Sequence, residues 1–299
     1  MTKYQMLFAV WLAALPVSAQ QVVQVVTKTI ERQLTVAGDV RIRLNTQKAD
    51  ITLHGWGKNT VSVVLRVTAR HAEKAVAEKE LDYLQYDIRR ETNEIDLTSR
   101  FSVPKSAGTL RSSLKIAYEV WVPANSRVNV SNTFGDMQLS DLQGETVVKM
   151  EFGKLALRNV SGKLDITTDY GDVEASRLRT QLRCNARKAE LVFQDLSGTA
   201  DFQTRYGRLH VQAGEKMNRL AVTAARTEVV FDPKRVEDFS YDIETSYADI
   251  QVPDSHRSHL GEYINKHTFV YQPDGRRPAV SITNSYSPIT IRLGWQSLR

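Results

Sequence analysis

One phrase recurs about every 18 residues along the middle of this chain: an aromatic, a glycine, often a charge, then two apolar residues flanking a variable position. It reads Phe134-Gly135-Asp136-Met137-Gln138-Leu139, Phe152-Gly153-Lys154-Leu155-Ala156-Leu157, Tyr170-Gly171-Asp172-Val173-Glu174-Ala175 and, after a gap, Tyr206-Gly207-Arg208-Leu209-His210-Val211. A fixed period of this length means one structural unit copied along an axis. Each copy can bury its apolar face only against its neighbours.

Aligned on the phrase, the copies alternate on both sides of it. Before the aromatic slot stand Val128/Val130/Asn132, Thr146/Val148/Met150, Leu164/Ile166/Thr168, Leu182/Cys184/Ala186 and Ala200/Phe202/Thr204. After it stand Met137/Leu139, Leu155/Leu157, Val173/Ala175, Leu191/Phe193 and Leu209/Val211. Period two marks a strand with one buried face. A further apolar residue closes each turn at Leu142, Val160, Leu178 and Leu196, and Gly144, Gly162 and Gly198 open the next copies. One copy is therefore strand, corner, strand, corner. The expected fold class is all-β, a single-stranded parallel β-helix or β-solenoid whose coils stack about 4.8 Å apart. A β-sandwich also has many short strands, but it would not hold the same residue class at a constant spacing.

The period loosens toward both ends. Corners recur at Ala225-Arg226-Thr227-Glu228, at Tyr247-Ala248-Asp249-Ile250 and at Tyr286-Ser287-Pro288-Ile289, and an early copy reads Lys48-Ala49-Asp50-Ile51-Thr52-Leu53. The expected organisation is a leader over 1–19, a β-rich N-terminal region over 20–123, and solenoid repeats over 124–299 with an insertion near 253–278. Ala69 to Leu84 has near-helical apolar spacing, so one helix is expected near 69–84. A hairpin of Tyr86/Ile88 with Ile95/Leu97 follows it, and this insert is placed to cap the stack.

The first residues read as a secretory signal peptide: Lys3, an apolar run from Met6 to Val17, then Val17-Ser18-Ala19 before Gln20. The run is too short to span a bilayer. The implied location is exported: periplasm, cell surface or extracellular, with peripheral membrane contact open. With 40 Lys+Arg against 34 Asp+Glu the net charge is +6, spread along the chain. Such an excess favours an anionic surface or polysaccharide and does not argue for nucleic acid. The single cysteine, Cys184, excludes an intramolecular disulfide and falls on an inward position.

Two ladders follow from the stacking. Two places after the aromatic slot stand Asp136, Lys154, Asp172, Glu190, Arg208, Glu228 and Asp249, mostly unlike charges on neighbouring coils. Asp172 and Glu190 have the separation of a carboxylate pair, but Lys154 and Arg208 flank them and would hold both ionised. The slot itself holds Phe134, Phe152, Tyr170, Lys188, Tyr206, Arg226, Tyr247 and Tyr286. Cations among aromatics read either as a register device or as a binding strip of Tyr170, Lys188, Tyr206, Arg226 and Tyr247. His256, His259, Glu262 and His267 are the only metal-like grouping, and their spacing in a loop does not make a site. No phosphate loop, nucleophile elbow or zinc-protease helix is present in the sequence. No cofactor and no catalytic residue is assigned.

Tyr118-Glu119-Val120-Trp121-Val122-Pro123-Ala124, the run Val128 to Asp136, the repeated units after it and the ending Asn284 to Ile291 resemble the bacterial β-strand-repeat family known as putative adhesin domains. These are domains of unknown function similar to the head domain of auto-transporter adhesins. The resemblance is clearest from Tyr118 to Val252. It implies a β-solenoid, export and no established enzymatic activity, and it brings no catalytic residues. The expected function is a non-enzymatic binding or scaffold module for an envelope glycan or surface protein. A polysaccharide-active enzyme using Asp172, Glu190 and Arg208 in an open groove is the alternative, and a self-assembling envelope subunit is a third.

Overall fold

The computed structural model describes residues 23–36 and 39–293 of the 299-residue chain. The leader expected over 1–19 lies outside the described residues. The N-terminal elements are β1 (Gln24–Thr35), β2 (Arg41–Lys48), β3 (Asp50–Trp56), β4 (Thr60–His71), α1 (Lys74–Leu81), β5 (Leu84–Arg90), β6 (Glu94–Phe101) and β7 (Ser113–Pro123). The repeat follows as β8 (Arg127–Phe134), β9 (Met137–Ser140), β10 (Glu145–Arg158), β11 (Ser161–Asp169) and β12 (Gly171–Asp232), the last an extended ribbon through several copies. The chain ends in β13 (Ser240–Ser246), β14 (Ile250–Gln251), β15 (Leu260–Tyr263), β16 (Lys266–Tyr271), β17 (Ala279–Ser285) and β18 (Ile289–Ile291).

Equivalent residues of neighbouring copies lie side by side in parallel. Thr146 is flanked by Val128 and Leu164, and Leu164 in turn by Leu182. In the second half of each copy Leu155 is flanked by Met137 and Val173. The result is a solenoid-like β-structure with two strand stacks, and the inward residues of both form one continuous core. Toward its C-terminal end that core turns aromatic, with Phe193, Phe202, Phe231, Tyr241 and Phe269 all fully buried.

The corners explain the phrase. In the earliest copies the left-handed turn falls on the glycine, with φ +111° at Gly135 and +124° at Gly153. In later copies it moves to the aromatic slot itself: Tyr170, Lys188, Tyr206, Arg226, Tyr247 and Tyr286 all have φ between 52° and 62°. In four of these copies the next position carries a side chain, Ala189, Thr227, Ala248 or Ser287, whereas Gly207 has a positive φ of its own, +137°, beside the left-handed Tyr206. The second corner has its own left-handed series at Asp141, Asn159, Arg177 and Asp195, and Asn159 Nδ2 donates to Asp141 Oδ1 at 2.7 Å. Asp and Asn are the side chains that tolerate this region best.

Inside the first corner, buried polar residues satisfy bent backbone. Asn132 donates to the carbonyls of Ala49 and Phe134, and Asn284 does the same for Thr227 and Ser287. The Phe134 carbonyl also accepts the Ala49 N–H at 3.1 Å, and inward Asn adds a second donor where the alternation otherwise calls for an apolar residue.

Both ends depart from a simple chain-order stack. The copy formed by β2 and β3 stacks on β8 and β9 and carries β6 and β7 on its other side. Beyond them β4 pairs antiparallel with β7 and β1 with β4, while β5 pairs antiparallel with β6. The helix is shorter than 69–84 because Ala69 to His71 finish β4. Glu80 anchors it: the buried carboxylate accepts the backbone N–H of Arg111 and of Ser112. Burial alone would raise its pKa, but these two bonds hold the group below the usual carboxylate range. At the other end β17 pairs with the Arg219–Thr223 segment of β12 on one side and β13 on the other. The last copy in sequence is thus inserted before its predecessor, and the 253–278 insertion carries the hairpin β15–β16, whose β16 covers the outer edge of β13 antiparallel.

Two outcomes follow from this packing. A Cβ on Gly153 would lie 2.4 Å from the Gly135 carbonyl at a positive φ, so Gly153→Ala should lower unfolding free energy by about 1–3 kcal/mol in denaturant titration. Ser287→Ala, which follows the left-handed Tyr286, should change it by less than about 0.5 kcal/mol. Cys184 is buried, which pushes its thiol up to about 12. A thiol reagent should therefore leave the native protein unlabelled and modify it only in denaturant.

Candidate functional site

The first candidate is the corner ladder. One slot repeated at strand spacing puts rings about 4.8 Å apart, close to the thickness of a stack. Phe134 and Phe152 stack with centroids 5.0 Å apart, and Phe152 and Tyr170 follow at 5.3 Å. Lys188 Nζ caps this run 4.6 Å over the Tyr170 ring and donates to its hydroxyl at 3.0 Å. In the second run Arg226 lies 5.6 Å over Tyr206 and 5.1 Å over Tyr286, and Tyr286 stacks on Tyr247 at 5.0 Å. All five residues expected to form a strip are in the ladder. Tyr286 enters between Arg226 and Tyr247 because the last copy is inserted out of sequence order.

The geometry changes what such a strip can offer. Ring faces point along the stack, and those between neighbours are taken by the adjoining ring or cation. What faces solvent are ring edges, hydroxyls and the two cationic heads. Tyr170 and Tyr247 remain about half exposed, at 46% and 59%. Both Tyr170 and Tyr206 have phenols held below the usual range, each by the hydrogen bond and positive charge of its cation, Lys188 and Arg226 respectively.

The charge ladder is a backbone staple. Asp50 Oδ1 accepts the N–H of Asp136, Asp136 Oδ1 that of Lys154, and Asp172 Oδ1 that of Glu190. Of the basic members, Lys154 pairs outside the ladder with Glu174 at 2.6 Å, and Arg208 pairs within it with Glu228 at 2.9 Å. Asp172 therefore faces the corner. Glu190 and Arg208 turn instead toward a groove on the adjoining sheet face. Of the three residues of the enzymatic alternative, Glu190 and Arg208 line this groove and Asp172 does not.

His256 and His259 pack edge-on against Tyr271, with centroids 4.9 and 4.8 Å away. His267 reaches Asp249 at 3.3 Å, and Glu262 lies opposite it in the hairpin. Packing and ion pairing account for these side chains.

The groove was not visible in the sequence. It occupies the outer face of the second strand stack, encloses about 780 Å³, and runs from His54 and Ser140 at one end to His210 and Arg292 at the other. His54 Nδ1 and Ser140 Oγ are hydrogen-bonded at 2.8 Å. At the far end a network joins two residues of β12 to the residue that follows β18: His210 Nε2 to Asp232 Oδ2 at 2.6 Å, and Arg292 Nε to Asp232 Oδ1 at 3.0 Å. His210 and Asp232 are 6% and 2% exposed although they project from an outward face. The only sequence signal was the variable position of the phrase, where a solvated face would carry long polar chains and this one carries Ala156, Val192 and Val230.

Comparisons with known proteins come from a family and from solved structures. The family model described as Toastrack DUF4097 matches residues 33–268. No curated protein matches the chain. A solved putative adhesin from Bacteroides fragilis is 13% identical, covering 89% of this chain and 97% of its own, with a TM-score of 0.42. A putative adhesin from Parabacteroides distasonis is 11% identical over 89% of this chain and 97% of its own, with a TM-score of 0.32. A putative lipid binding protein from the same species is 12% identical over 88% and 96%, with a TM-score of 0.30. Among the described residues no helix is long and apolar enough to cross a membrane.

The ladder predicts a titration. In ultraviolet difference spectra Tyr170 and Tyr206 should ionise below the ordinary tyrosine range near 10, and Lys188→Met should return Tyr170 to it. The sign follows from the direction of the shift. The ionised phenol is favoured in the folded state, so its stabilising contribution is present above the unfolded phenol pKa and is lost as pH falls through the shifted one.

Proposed function

We propose, from the premise that this chain belongs to the Toastrack DUF4097 family, that it is an exported, non-enzymatic binding and scaffold module. The scaffold is a single-stranded parallel β-helix with coils of about 18 residues, a reading supported by the 18-residue register of β8, β10 and β11. Its place is the periplasm, the cell surface or the extracellular side, with peripheral membrane contact. The partner is an envelope glycan or a surface protein. The contact strip is Tyr170, Lys188, Tyr206, Arg226 and Tyr247.

The observation that carries this reading is the exposed ladder. A corner that needed only to fix register could bury its slot, yet Tyr170, Tyr247 and Tyr286 leave about half their surface in water, and Tyr170 and Tyr286 hold cations beside them. Such a strip meets a partner through edges, hydroxyls and positive charge, and its stacking makes it rigid before contact. Asp172, whose carboxylate accepts a backbone N–H, adds nothing to a catalytic reading.

Binding of the mature protein to envelope fractions and a glycan panel tests the proposal. Tyr170→Ala and Tyr206→Ala should each weaken binding at least tenfold while the variants stay folded and melt only a few degrees lower for the ladder contacts they lose. Turnover of a polysaccharide that Asp172→Asn abolishes would overturn it, as would wild-type binding in both ladder variants.

A further inference from the structure

We infer that the protein assembles end to end with further copies of itself, β15 of one copy adding as a strand beside β5 of the next. The contact lies at the two ends of the stack and uses neither the ladder nor the groove. Its starting point is the number of strands in each layer. Beyond the coil β2/β3, the first stack continues through β6 and β5, the second through β7, β4 and β1. The first stack stops one strand short, so among the described residues no strand lies opposite β1. At the far end, beyond β17/β18, the first stack continues through β13, β16 and β15, the second through β14 alone. The 3-10 turn Asp254–His259 follows β14 and covers β16, packing His256 and His259 on Tyr271. That leaves β15 as the strand without an opposite. A cap that only ended the stack would close both layers at one level. Here each end is a step one strand deep, and β15 of one copy fits the place opposite β1 of the next.

The two edges offer their backbone groups in matching phase. Bonds from Glu91 N to Glu94 O and from Ser102 N to Tyr83 O fix the odd residues of β5 on β6. Tyr86, Ile88 and Arg90 therefore turn their N–H and C=O to the open edge. In the hairpin β15–β16 the two-residue turn pairs Tyr263 with Lys266, so Leu260 and Glu262 face the open edge there. β15 runs in the direction of β13, and β5 runs against β6, which makes the new pair antiparallel. Carrying the core column of Leu44, Leu97 and Ile88 on into that of Ile243, Phe269 and Leu260 sets Leu260 opposite Ile88 and Glu262 opposite Tyr86. Each pair can then exchange both of its backbone bonds.

Charge gives the contact its direction. On the inward side of β1 the exposed Lys28 and Arg32 stand on either side of the buried Ile30. The helix α1 packs against β1 and β4 but leaves both cations exposed. Among the described residues neither has a carboxylate partner, and Arg32 donates only to the Glu31 carbonyl. Inward cations keep like edges apart. On the other step Glu262 points inward from β15, exposed and without an ionic partner among the described residues. Filling the step brings it to the two cations. The ends as a whole differ in the same sense: β1, β4 and β5 carry six Lys and Arg against two Asp and Glu, while the chain from β13 to the end of β16 carries two against five. Pairing β5 with β5 of a partner would instead set each β1 in the place of the other's β4. Copies therefore join head to tail, and the series stays open.

Sedimentation velocity of the mature protein over a concentration series at low salt tests the inference. Average mass should rise with concentration and fall back when salt is added. Glu262→Lys should hold the protein monomeric, and so should the double variant Lys28→Glu with Arg32→Glu; all three side chains are exposed, so melting should change little. An equimolar mixture of the two variants should associate again, because each presents the step that the other has lost. Cysteines check the register: Ile88→Cys mixed with Leu260→Cys should form a disulfide-linked dimer under oxidation, and neither should do so alone, with the buried Cys184 silent. The inference is overturned if the wild type stays monomeric at about 1 mM, where a contact with a Kd of that size is half formed. It is equally overturned if either charge variant associates like wild type, if their mixture stays monomeric, or if Ile88→Cys links to itself.

Discussion

From Phe134 onward, each copy of this repeat turns a left-handed corner at the same height as its neighbour, and the rest of the molecule is arranged around that requirement. A non-glycine residue in the left-handed region costs about 1–2 kcal/mol. Six slot residues accept it, from Tyr170 to Tyr286. They hold because the adjoining coil fixes each from the side: ring on ring, cation on ring, and an Asp side chain receiving the next backbone N–H. The contacts that look decorative at the corner are therefore what keep it bent.

The same requirement explains which parts of the structure the sequence revealed. Alternation of Val128, Val130 and Asn132, and of their equivalents, marks strands because inward positions must be apolar or satisfy a bent carbonyl. The 18-residue spacing marks stacking because only stacked copies bury that face. Where the left-handed residue falls was hidden, since Phe134-Gly135 and Tyr170-Gly171 look alike in sequence but place the positive φ differently. The order of the last two copies was hidden as well. Tyr247 and Tyr286 both sit in valid corners, and only β16, lying antiparallel on the outer edge of β13, leaves β17 the inner place.

The groove was illegible for a different reason. Outward positions carry no burial constraint, so nothing in the alternation separates a solvated row from a ligand-facing one. His210 and Asp232 lie 22 residues apart, and Arg292 a further 60 along, joined only because the final copy is threaded back beside β12. No local pattern encodes such a meeting. The insertion over 253–278 is thus tied to the groove: by covering β13 it sends the chain back to deliver Arg292.

The two surfaces follow opposite rules although the same repeat builds both. At the corner, rings and cations follow one another in a single slot, neighbours stack on one another, and the strip faces outward with ring edges, hydroxyls and cationic heads in solvent. On the sheet face the chemistry alternates from coil to coil, so neighbours cannot pair within their own row and their partners must come from elsewhere. Side chains of a strand point to alternate faces, which lets the outward row vary without disturbing the inward one. A one-residue slip would exchange the two rows in every later strand of the affected copy, moving Ala156 and Val192 inward and Leu155 and Leu191 into solvent. Corner and groove are therefore free to diverge in composition, but not in register.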